Sequence, residues 1–115
     1  MWFKADRRRS KRLKEICLVR YQIKGAEQVG EGQLANVRDI SASGISMRSA
    51  EAILPATHLA VTINIPTSQG PVNAEGIVRQ SKKIFGTQLY RLGIEFVRIS
   101  EPDLENLKRY LREIQ

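Results

Sequence analysis

His58-Leu59-Ala60-Val61-Thr62-Ile63-Asn64-Ile65-Pro66 decides the fold. Leu59, Val61, Ile63 and Ile65 fall on one face, Thr62 and Asn64 on the other, and Pro66 ends the run. Side chains that alternate with a period of two mark a strand buried on one side only. Such a strand needs partners, and the same alternation recurs on both sides of it. Toward the C-terminus, the Ser-Gln-Gly-Pro stretch at residues 68–71 predicts a loop before a strand over Val72 to Gln80. A turn is expected near Lys82 to Gly86. The last strand is expected over Leu89 to Val97, where Leu92, Ile94 and Phe96 alternate and Gly93 suits a close backbone approach or a bulge.

Toward the N-terminus, Pro55 breaks the pattern and a short strand is expected over Ile45 to Arg48. Asp39 to Gly44 reads as a turn, because Asp and Ser bond local backbone amides and Gly accepts the positive φ that tight corners often need. The run from Gln33 to Ile40 supplies Leu34, Val37 and Ile40 with imperfect alternation. Before the connection through Gly30 and Gly32, Cys17, Val19, Tyr21 and Ile23 alternate with Leu18, Arg20 and Gln22 until Gly25. The period changes only at the C-terminus, where Leu104, Leu107, Leu111 and Ile114 make a helical stripe. Ser100 is a good N-cap with Asp103 three residues on, Pro102 fits the first turn, and Lys108, Arg109 and Arg112 suit the negative end of the dipole. The expected fold class is mainly β: a six-stranded antiparallel β-barrel with a C-terminal helix, about residues 101–114, against one opening.

The chain has 115 residues, 42% of them hydrophobic, which suits one compact domain. A lone cysteine excludes an internal disulfide and any multi-cysteine metal site, and His58 has no partner at ligand spacing, so no metal or cofactor is expected. Without an apolar run of about 20 residues or a secretion-like N-terminus, no membrane insertion and a cytoplasmic location are the default expectations. Cys17, on the apolar face of its strand, reads as a small core residue rather than a nucleophile.

The net charge is +7, and its placement matters more than its size. Residues 1–24 hold nine Lys/Arg against two Asp/Glu, whereas residues 25–115 hold ten against ten. We therefore divide the chain into a basic N-terminal arm, residues 1–15, and a barrel body, residues 16–115. A basic arm on a balanced body points to a localised anionic partner. Within the arm, Arg7-Arg8-Arg9-Ser10-Lys11-Arg12 can bring several guanidinium forks to one ligand. Guanidinium donates paired hydrogen bonds to phosphate and stacks flat on a purine. The turn complements it: the Asp39 carboxylate can accept from a guanine edge, Ser41 can donate or accept beside it, and Gly44 leaves room. Arg79 could line the same surface, though an outward strand arginine is ordinarily just solvated.

Arg8-x-x-x-Arg12 followed by Asp39-x-Ser41-x-x-Gly44 resembles the PilZ domain family, whose signature joins these two elements in this order. Leu92-Gly93-Ile94-Glu95-Phe96-Val97 resembles that family's last barrel strand, and the likeness runs from about Asp6 to the end. The resemblance implies a barrel of the split type and a receptor for cyclic di-GMP. It further implies that Arg7, Arg8, Arg9 and Arg12 hold phosphates and guanine faces while Asp39, Ser41 and Gly44 hold a guanine edge. In the family, an arginine at the position of Arg7 accompanies a stacked ligand dimer. A downstream protein partner is implied as well.

Two other readings stay open at this point. A small basic barrel could use its arm on RNA or DNA phosphates, although the balanced body and the few scattered aromatics offer no stacking platform. A domain of this type could also serve protein interaction alone. Catalysis is not expected, since no acid–base pair and no nucleophile with a plausible partner stands out. The sequence assigns Trp2 and Phe3 no role.

Overall fold

Each alternating run becomes a strand because its apolar side can be buried only against other strands. The computed structural model describes residues 11–25, 32–65 and 70–113. Its elements are β1 (Lys11–Ile23), β2 (Gln33–Ser41), β3 (Gly44–Ser49), β4 (His58–Asn64), β5 (Val72–Lys83), β6 (Tyr90–Ile99) and α1 (Glu101–Glu113). All neighbouring strands are antiparallel, and the ladder closes on itself in the order β1-β2-β3-β6-β5-β4. Closure removes the open edges that would otherwise invite pairing with another chain.

The inward residues are those the alternation names. Val19, Ile40, Met47, Leu59, Ile63, Val78, Leu92 and Ile94 have no exposed surface, and burying each such side chain is worth about 1.5–3 kcal/mol. Cys17 is buried among them, and its thiol donates to the Asn64 carbonyl at 3.3 Å. Tyr21 reaches the barrel mouth, where its hydroxyl donates to Glu51 Oε1 at 2.7 Å and meets Ser49 Oγ at 2.9 Å. Ser49 Oγ also accepts from the Glu51 amide at 3.0 Å, so the buried hydroxyl is satisfied.

Ser100 caps α1 as its position suggests: its Oγ accepts from the Asp103 amide at 3.3 Å and donates to Asp103 Oδ2 at 3.1 Å. Leu107 and Tyr110 are the buried residues of the helix, with Leu104 and Leu111 half-buried beside them. Ile114, the last member of the expected stripe, lies outside the described residues. The helix packs near the start of β5, and Asn106 Nδ2 donates to the Gly70 carbonyl at 3.3 Å. It thus sits at the end of the barrel where β6 finishes and β5 begins.

Two local expectations change. β1 begins at Lys11, so residues 11–15 of the basic segment already belong to the strand, with Lys11 and Arg12 paired to β2. The turn expected near Lys82 to Gly86 lies farther on, between β5 and β6, and is closed by Ile84 N donating to the Leu89 carbonyl at 2.9 Å. β5 reaches that far because a bulge between Val78 and Gln80 absorbs one extra residue, Arg79, and resets the outward face. Next to Gly93, the partner of Gln80, lies the bulge that the sequence allows there, and a close backbone approach is found at Gly76, where an added Cβ would stand 2.5 Å from Ile94 Cγ2 and 3.1 Å from the Glu95 carbonyl oxygen.

Candidate functional site

The β2–β3 connection is shorter than the sequence suggests. Asp39 and Ser41 remain in β2, Gly44 starts β3, and Ser41 and Gly44 are Cα partners, leaving only Ala42 and Ser43 in the turn. Gly44 is not among the described glycines with positive φ, which are Gly25, Gly32, Gly70 and Gly86. Its place is therefore not explained by the left-handed backbone that the sequence invites. It pairs instead with Glu95 on β6, at the end of the β3–β6 ladder.

Ser41 locks the turn. Its Oγ donates to the Gly44 carbonyl at 3.3 Å, accepts from the Ser43 amide at 3.2 Å and lies 3.2 Å from Ser43 Oγ. Such side-chain bonds to nearby backbone are the chemistry that makes serine a turn residue. The turn is also tied to the next strand, since the Phe96 amide donates to the Ser43 carbonyl at 2.8 Å. A loop held at both its base and its tip presents a fixed surface, which is what recognition of a rigid ligand requires.

Because Ile40 is fully buried, its neighbour Asp39 belongs to the opposite face of β2, while Ser41, at the start of the turn, is itself buried. Asp39 is half-buried, with Ser46 as its partner on β3 and Arg12 as its partner on β1. The ladder thus places the second arginine of the Arg-x-x-x-Arg element across from the aspartate of the turn at the level of the backbone. A shift of register between Arg12 and Cys17 separates that pair from the regular part of β1. Arg7, Arg8 and Arg9, like Trp2 and Phe3, lie outside the described residues.

Glu95 joins the neighbourhood without having been picked out as a site residue by the sequence. Arg79 Nε donates to Glu95 Oε1 at 2.6 Å, so the bulged arginine of β5 covers the acid standing opposite Gly44. Both side chains are partly exposed, and a pair of this kind contributes about 0–1 kcal/mol to stability. Its effect is to offset a negative charge next to the turn. Alternation in Leu92-Gly93-Ile94-Glu95 points Glu95 outward, but only the β3–β6 pairing reveals that it faces Gly44.

Among the described residues no group of three His, Cys, Asp or Glu side chains is placed to hold a metal ion. No helix of the described residues is long and apolar enough to cross a membrane. The Cys17 thiol is pushed up to about 11 by burial, which keeps it protonated.

The PilZ domain family model matches residues 6–113. Among solved structures, this fold is similar to the K. pneumonia MrkH-c-di-GMP complex, at 17% identity and a TM-score of 0.72, over 91% of this chain and 50% of that one. It is similar to the Bacillus subtilis inhibitor of motility MotI/DgrA, at 18% identity and a TM-score of 0.69, over 91% of this chain and 50% of that one. It is also similar to the PilZ domain with c-di-GMP of YcgR from Escherichia coli, at 17% identity and a TM-score of 0.62, over 93% and 90%. The chain spans about half the length of the first two. No curated protein matches it.

Proposed function

The chain belongs to the PilZ domain family, and from that premise we propose that it is a cyclic di-GMP receptor whose arginine-rich arm closes over a ligand held against the β2–β3 turn. One observation carries the reading: Arg12 and Asp39 are partners in the β1–β2 ladder. The second arginine of the motif thus stands across the ladder from the motif's aspartate, whose strand ends in the locked Ser41–Gly44 turn.

Each part has a chemical task. Arg7, Arg8, Arg9 and Arg12 supply guanidinium groups for the two phosphates and for stacking on guanine faces. The Asp39 carboxylate accepts from a guanine edge, Ser41 fixes the backbone that shapes the floor, and Gly44 leaves the floor low. The structures of MrkH and YcgR with c-di-GMP support this choice of ligand. No step of bond making or breaking is involved; the domain is a receptor, not an enzyme. Closure of the arm changes the surface shown to a partner protein or attached domain, which is how binding becomes a signal.

The test is a ligand titration of the wild type and of Arg8→Ala, Arg12→Ala and Asp39→Ala. Each variant should weaken cyclic di-GMP binding by about tenfold or more, the consequence of losing one charged hydrogen bond. Unchanged affinity in all three would remove the site from this part of the barrel.

A further inference from the structure

Arg48 on β3, Arg91 on β6 and Lys82 on β5 are Cα partners in one lateral row. All three belong to the outer side, since Met47 and Leu92 beside them are fully buried and Lys82 is exposed. Adjacent strands stand about 4.8 Å apart, so the backbone positions of these cations fall within about 10 Å. Like charges directly opposite each other destabilise a sheet. The row nevertheless continues through Asn36 to Leu18 without an acid. Among the described residues, Arg48 Nε is in addition buried without a hydrogen-bond partner, a desolvation cost with no return there.

Just beyond Lys82, Phe85 is fully exposed, at 101%. Its turn is not loose. Ile84 N donates to the Leu89 carbonyl at 2.9 Å, Thr87 Oγ1 donates to the Ile84 carbonyl at 2.8 Å and accepts from the Leu89 amide at 3.0 Å. An open depression of about 550 Å³ adjoins the ring, lined by Lys83, Phe85, Gly86, Thr87 and Gln88. A large aromatic held out in water by a rigid turn contributes nothing to the core. It has the properties of an interface anchor, because little entropy is lost when it docks.

The location selects the partner. β6 lies across the closed barrel from β1, and the β3–β4 connection at this same end carries the exposed Glu51. A flat anionic bilayer would meet the connections of this end together, that acid included, whereas a protein segment can reach the β3-β6-β5 wall alone. Nucleic acid favours several stacking rings along a basic track, and here one ring accompanies three cations. We propose that this wall docks an acidic segment of a partner protein, whose carboxylates pair with Arg48, Arg91 and Lys82 and whose apolar side chain packs on Phe85. The row contains none of Asp39, Ser41 and Gly44, so the inference does not depend on the nucleotide reading.

Panning a random peptide library over the full chain, with counter-selection on the Phe85→Ser/Arg91→Glu double variant, tests it. The expected consensus is a cluster of Asp or Glu around one large apolar residue. A synthetic peptide of that consensus should bind the wild type and lose about tenfold or more affinity with Phe85→Ser, Arg91→Glu or Lys82→Glu. No consensus, a consensus without acids, or equal binding by all variants overturns the proposal. So does Phe85-dependent binding of phosphatidylserine vesicles or of a single-stranded oligonucleotide with no peptide selected. The substitutions fall on exposed positions, and unchanged thermal melts verify that the variants fold. Titrating the same variants with cyclic di-GMP reads the receptor proposal separately.

Discussion

Arg12 and Asp39 face each other as Cα partners across the β1–β2 ladder, although a strand and a loop separate them in sequence. The pairing puts the phosphate-binding and guanine-reading chemistry of the proposed site on neighbouring strands. Asp39 also separates the receptor reading from nucleic-acid binding. A polymer held by six or more phosphate contacts should lose about a thousandfold in affinity between 50 and 200 mM salt. A small ligand held by an aspartate as well should decline far less and should weaken about 10- to 100-fold with Asp39→Asn. Steep salt dependence with an indifferent Asp39→Asn would favour the polymer.

Ala56 has a φ of 72° in the turn that follows Pro55, where Thr57 N donates to the Leu54 carbonyl at 3.3 Å. Proline at the second position and a left-handed residue at the third are the marks of a type II turn, in which glycine is preferred. The left-handed conformation costs alanine about 1–2 kcal/mol, and glycine's greater unfolded-state entropy returns about 0.4–1 kcal/mol of that. Ala56→Gly should therefore raise stability by about 0.5 kcal/mol, or roughly 2–4 °C in melting temperature. A lower melting temperature would contradict this account of the turn.

Gly76 sits where a Cβ would collide with Ile94 Cγ2 and crowd the Glu95 carbonyl. Gly76→Ala should lose about 1–3 kcal/mol in urea unfolding, the usual cost of overpacking. Adding Ile94→Val should recover part of that loss, since the two changes share one contact. Additive losses in the double variant would locate the strain elsewhere.

Alkaline pH should weaken the fold through two acids that are neutral when buried. Burial pushes the Tyr21 hydroxyl up to about 12, reinforced by Glu51 and opposed by the bond with Ser49, and it pushes the Cys17 thiol up to about 11. The unfolded chain releases these protons first, at their ordinary values of 10.0 and 9.0. Their contribution is thus complete below pH 9 and disappears as pH rises through the folded values. Urea midpoints should fall between pH 8 and 11, and Tyr21→Phe, though less stable at pH 8, should fall less steeply. A flat profile in the parent protein would contradict this.

The barrel was legible because burial is periodic: Leu59, Val61 and Ile63, or Leu92 and Ile94, declare their faces without reference to any partner. What pairing decides was not legible. Lys82 and Lys83 look like turn residues until the bulge at Arg79 carries β5 past them. Tyr110 proves to be a buried anchor of α1, because helix rotation on the barrel, not hydrophobicity alone, chooses it. At the site, Ser41 was legible as a turn residue, yet the facing of Glu95 and Gly44 depends on β3 meeting β6, which local sequence does not encode.

The most direct measurement is a calorimetric titration of the chain with cyclic di-GMP beside GTP and cyclic di-AMP. The account predicts saturable heat with cyclic di-GMP alone, because only that ligand offers two phosphates and guanine edges together to the arginines and Asp39. Absence of saturable heat at high cyclic di-GMP concentration, or equal binding of all three ligands, would contradict it.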